Sequence, residues 1–151
     1  MPVNRAKLYQ FASQTKLPVL KKETLPIGKL SFGIVNSAAN GKRVSFSKAL
    51  STSLQLEKGG IVKIIPVPDL GAIIIGKNLS LANTYNCSLK ISKERFVSYH
   101  SDCVVGLTEV FALNFENHVS MSFDRVELDK DINNGSPIAI ITVKDVAIDE
   151  N

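Results

Sequence analysis

The stretch at positions 41–77, GKRVSFSKALSTSLQLEKGGIVKIIPVPDLGAIIIGK, leaves few folds open to the chain that carries it. Arg43-Val44-Ser45-Phe46 alternates, with Val44 and Phe46 facing one way, as a half-buried strand does. Ser47 stands where a helix N-cap belongs. Leu50 and Leu54, with Leu56 just past the helix end, make one face of a short helix apolar, and Gly59-Gly60 stops it. Two β-branched runs, 61–65 and 72–75, follow, joined by the turn-rich Pro66-Val67-Pro68-Asp69-Leu70-Gly71. The order is strand, helix, strand, strand. Upstream, Leu30, Phe32 and Ile34 alternate as a further strand, and 37–43 reads as a small flexible loop with a basic end.

The same pattern recurs. Moved by 57 positions, Leu30, Phe32 and Ile34 fall on Cys87, Leu89 and Ile91, while Leu50, Leu54 and Leu56 fall on Leu107, Phe111 and Leu113. Val62 falls on Val119 and Ile64 on Met121. Asp102 is the expected N-cap of the second helix, and 118–128 its following strand. The last turn is longer and needs a move of 65, which puts Ile73 on Ile138 and Ile75 on Ile140 in a strand at 137–143. Three elements agreeing at one spacing indicate an internal duplication. The expected organisation is a basic arm or short helix at 1–28, a first βαββ unit at 29–77, a linker at 78–86, a second, acidic unit at 87–146 and a tail at 147–151.

Gly33-Ile34-Val35, Arg43-Val44, Phe46, Leu50, Leu54, Leu56, Lys58-Gly59, Val62, Ile64 and Ile73 to Ile75 resemble the AbrB-type (SpoVT/AbrB, swapped-hairpin) DNA-binding family over residues 30–78. The resemblance implies an α+β, mainly β fold in which two βαββ units interleave into one swapped-hairpin-like barrel. Two units in one chain would form it as a pseudo-dimer, similar to the tandem arrangement of MraZ-type regulators, whose Asp-x3-Arg motifs this chain lacks. The chain also has Ser47 where the family usually has Pro, Ser51-Thr52 where it has charged residues, and Asn36 where a basic residue often follows the first strand. Those are positions from which the family contacts DNA.

Charge gives a physical reason for a polyanion partner. The net charge is +4, but residues 1–77 carry 12 Lys/Arg against 3 Asp/Glu, and residues 78–151 carry 6 against 11. A basic half suits double-stranded DNA, and it equally suits attraction to an acidic half or a second copy. The expected DNA contacts are Lys42 and Arg43 before the helix, Lys48 on it, and Lys29, Lys21 and Lys22 nearby. Arg43 is the candidate base reader, because its planar fork can bond a guanine edge bidentately. The competing expectation is a protein-binding accessory or inhibitor module, of the kind found on mobile elements, that kept the fold and lost DNA binding.

No catalytic set stands out. His100-Ser101-Asp102-Cys103 reads as a helix-start loop, and Lys58-Gly59-Gly60 is not a phosphate-binding glycine motif. Glu116, Asp124, Glu127, Asp129 and Asp131 lack EF-hand spacing and read as a solvated face. Cys87 and Cys103 read as two reduced core thiols, the alternative being a disulfide or metal pair. Neither a cofactor nor a metal is expected. At 44% hydrophobic and with no apolar run near the roughly 20 residues of a membrane helix, the 151-residue chain is expected to be cytoplasmic.

Overall fold

The computed structural model describes residues 28–38, 41–81, 83–93 and 95–144. Nearly all of the expected arm at 1–28, with Lys21 and Lys22, and the tail at 147–151 lie outside them. The first half forms β1 (Phe32–Ser37), β2 (Gly41–Phe46), α1 (Lys48–Ser53), β3 (Ile61–Val67) and β4 (Ala72–Gly76). The second forms β5 (Tyr85–Ser88), β6 (Lys90–Ser92), β7 (Arg95–Ser98), α2 (Ser101–Val110), β8 (Ser120–Phe123), β9 (Val126–Asp129) and β10 (Ile138–Thr142). The fold is α+β and mainly β. Among the described residues no helix is long and apolar enough to cross a membrane.

Two five-stranded antiparallel sheets carry the architecture. The first runs β6-β7-β2-β1-β8 and the second β5-β3-β4-β10-β9. Each therefore draws strands from both halves of the chain. The described strands form no closed barrel, in contrast to the expected one; the two sheets have open edges. The chain itself crosses between sheets at both edges, from β5 to β6 through Leu89 and from β8 to β9 through 124–125. One core lies between them. Phe32, Ile34, Val44, Phe46, Leu50 and Leu54 meet Cys87, Leu107, Phe111 and Ile141 in a single buried cluster.

The ladders fall into corresponding sets. β1 pairs with β2 as β6 does with β7, β3 with β4 as β9 does with β10, and β1 with β8 as β5 does with β3. The remaining two ladders, β2 with β7 and β4 with β10, join strands that hold matching places in these sets. Ile34 lies opposite Val44, ten residues on, and Ile91 opposite Phe96, five residues on, so the second hairpin is five residues shorter. A constant spacing of 57 therefore misaligns β2 with the second half. The hairpin registers place Arg43 against Arg95, 52 residues apart.

Local chemistry explains the helices. Ser47 Oγ accepts from Leu50 N at 3.2 Å and from Ser31 N at 3.0 Å, capping α1 and fixing the chain just before β1. The helix ends earlier than Gly59-Gly60: Leu54 is its C-cap and Gln55 adopts φ 59°. Gln55 N donates to Thr52 O and Leu56 N to Ser51 O, a Schellman closure made without glycine. In α2 the same closure recurs at Phe111, Ala112 (φ 50°) and Leu113, with Ala112 N on Glu109 O and Leu113 N on Thr108 O. At the other end of α2 the expected cap is corrected. His100 Nδ1, not Asp102, accepts from Cys103 N at 3.0 Å, and Asp102 stands in the first turn.

Four further expectations change. Lys42 and Arg43 belong to β2 and not to a loop, because β2 begins at Gly41, whose φ of 92° suits glycine. Tyr85 and Asn86, expected in the linker, begin β5. The strand expected over 118–128 breaks into β8 and β9, one in each sheet, and Val119 is 52% exposed where Val62 is fully buried. The last strand is in phase with β4 at a spacing of 66: Ile73 and Ile75 match the buried Ala139 and Ile141, while Ile140 lies half-buried opposite Ile74. Strand side chains alternate, so a one-residue slip exchanges the two faces.

Cys87 and Cys103 are buried free thiols in the core. Their mutual hydrogen bond and burial hold the Cys103 thiol far above its ordinary range. Tyr85 lies against Gly106 of α2, where a Cβ would run into its phenol oxygen, and burial pushes that phenol up.

Candidate nucleic-acid interface

The inward side chains of the first sheet, Phe32, Ile34, Val44 and Phe46, are fully buried, so their neighbours in sequence face outward. Ladder register sets which of those meet. Gly33 lies opposite Ser45 on one side and Ser122 on the other, and Ser45 lies opposite Val97. Val35 lies opposite Arg43 and Ser120, and Ser92 opposite Arg95. These residues line one open cleft of about 260 Å³ on the outer face. Val97 forms part of it at 4% exposure. Gly33 leaves room in its floor, since a Cβ there would come within 2.7 Å of Ser45 Oγ.

The cleft is polar and basic. It holds Arg43, Arg95 and the hydroxyls of Ser45, Ser92, Ser120 and Ser122, and none of its described lining residues is acidic. The Arg43 guanidinium stands 5.9 Å above the Tyr99 ring, a cation–π contact that orients its fork. Arg43 and Arg95 sit on opposite sides of the Ser45–Val97 pair, each two residues from it along its strand.

The expected contact residues do not gather in one place. Arg43 lines the cleft. Lys42, its neighbour in β2, points to the opposite face and lies opposite Asn36. Lys48 is exposed at the first position of α1 and does not line the cleft. Lys29 binds Asp124 at 2.8 Å, a bridge from the basic half to the acidic one. That bridge raises the Lys29 amine and lowers the Asp124 carboxyl, each mainly through the hydrogen bond between them.

Arg95 is the residue that the sequence pattern did not single out. Its signal is there in Arg95-Phe96-Val97 against Arg43-Val44-Ser45, but only at a spacing of 52. Among the described residues no group of three or more His, Cys, Asp or Glu side chains is gathered to hold a metal. Compared with protein-family models, curated proteins and solved structures, the chain matches none.

Proposed function

We propose that this chain is a double-stranded DNA-binding regulator, a transcription factor or antitoxin-like repressor, built from two fused units of swapped-hairpin type. The observation that carries the reading is the pair Arg43 and Arg95 on one outer sheet face, equally offset from the Ser45–Val97 pair, in a cleft whose described lining residues include no acid. Corresponding ladders from the two halves support the duplication. A β-sheet face is a known means of entering a DNA groove. In this reading Arg43 and Arg95 contact base edges or phosphates from related positions, while Lys42, on the other face of the sheet, and Lys48, outside the cleft, contribute little. The reading carries with it a cytoplasmic location.

The test is binding to mixed-sequence double-stranded DNA at two salt concentrations. Each lost phosphate contact lowers the slope of log affinity against log salt by about one. Arg43→Ala/Arg95→Ala is expected to lower it by about two, whereas Lys42→Ala/Lys48→Ala leaves most of it. Absence of binding at low salt sinks the reading.

A protein-binding accessory role is the second reading. It is favoured by the exposed Leu128 and Ile132 among Glu127, Asp129 and Asp131. Such an apolar and acidic surface would bind a partner with little of that salt dependence.

A further inference from the structure

We propose that the cleft on the outer face of the first sheet is a binding site for a small phosphorylated anion, held between Arg43 and Arg95, and that this ligand displaces DNA. The anion site stands on the cleft alone; its competition with DNA rests on the function proposed above.

Shape separates this ligand from a duplex. Side chains at the rim of a sheet can touch a DNA backbone, but a cleft of about 260 Å³ cannot admit a duplex. Its volume is near the lower end of small-molecule sites, about 300 Å³. The recess has a structural cause, because Gly33 contributes no side chain at the centre of the face and Val97 lies deep at 4% exposure.

Chemistry selects the anion. Guanidinium forks match phosphate oxygens with two parallel hydrogen bonds each, and two of them facing one recess suit a dianion better than a single charge. Ser45, Ser92, Ser120 and Ser122 add hydroxyl donors for the remaining oxygens. None of the described lining residues carries a carboxylate, so none of them repels this charge. Tyr99 beneath the Arg43 fork limits its rotamers before the ligand arrives.

The experiment is a backbone NMR titration of the full chain with inorganic phosphate and with pyrophosphate, against sodium chloride at matched ionic strength. Saturable shifts are expected at Gly33, Ser45, Ser92 and Ser122. Loss of a charge-assisted fork weakens binding roughly tenfold or more, so Arg43→Ala and Arg95→Ala should each do so, and Arg95→Lys should recover only part. Arg95 is exposed, so its substitutions leave the core intact. Shifts that merely follow ionic strength, or that persist unchanged in both alanine variants, overturn the anion site. A competition assay then titrates pyrophosphate into the DNA complex. Displacement in the concentration range of the NMR titration supports the regulatory half of the proposal, and saturable anion binding that leaves DNA bound overturns that half. Anion binding without any DNA binding leaves the site standing while the proposed function falls.

Discussion

Helix α1 closes on Leu54, Gln55 and Leu56 and helix α2 on Phe111, Ala112 and Leu113, the same hydrogen bonds made 57 residues apart. Their beginnings differ. Measured from the caps, Ser47 and His100, the spacing is 53, so α2 has four more residues, about one turn. Its hairpin, in return, is five residues shorter. Changes of length thus sit in the hairpin loop, at the helix start and between α2 and β10, where the spacing grows from 57 to 66, while the pairing of the ladders and the helix ends keep their correspondence. That contrast teaches where this architecture tolerates change. A turn added at a helix N-terminus leaves the core-facing residues before the C-cap in place, whereas a strand slipped by one residue would turn its buried face to water.

The largest test of the correspondence concerns Leu50 and Leu107, each the residue whose carbonyl accepts the C-cap N–H, and each fully buried in the same cluster. Leu50→Ala and Leu107→Ala should each destabilise by roughly 2–5 kcal/mol. Because four of the eight ladders among the described residues join the two halves, urea unfolding should stay a single transition in both variants. Two separate transitions, each shifted by one substitution only, would show the halves to be independent and break the comparison.

Much of the first half is legible in the sequence alone. The alternation around Val44 and Phe46, the cap at Ser47 and the leucine spacing each have one physical reading, and all three hold. The second half was legible only where its lengths match. Leu107, Phe111 and Leu113 were found because the helix ends agree at 57. Arg95 does not stand out in the sequence because the shorter hairpin moves β7 out of that spacing, and half of the candidate site goes with it. The sequence points to Asp102 and not His100 because a ring nitrogen is a less common cap than a carboxylate. The break between β8 and β9 follows from the chain crossing between two sheets, a tertiary demand with no local pattern.

A finer test addresses the shared helix ends. Gln55 and Ala112 hold φ of 59° and 50°, a region where a Cβ is crowded and glycine is not. Gln55→Gly and Ala112→Gly should each stabilise by roughly 0.5–1 kcal/mol, the strain relieved at C′ exceeding the entropy gained by the unfolded chain. Chemical denaturation checks it. Stabilisation at one site and loss at the other would mean that the two closures are alike in hydrogen bonding but not in strain.

The smallest expected effect lies where the halves differ most, in charge. Lys29 and Asp124 form their bridge in full contact with solvent, so Lys29→Ala and Asp124→Ala should shift the midpoint only slightly, and less as salt is added. The sign with pH is set by both partners. Asp124 is held below its ordinary carboxylate range in the folded chain, so its contribution is present above that range and is lost as pH falls through the lowered value. Lys29 is held above its ordinary range, so its contribution is present below that range and is lost as pH rises through the raised value. Wild type and Asp124→Ala should therefore differ by a small constant amount across neutral pH and converge at both extremes. A difference that survives high salt or acid would mean that the acidic half holds the basic one through more than this single exposed pair, and the asymmetry of charge would then be part of the fold as well as of the partner surface.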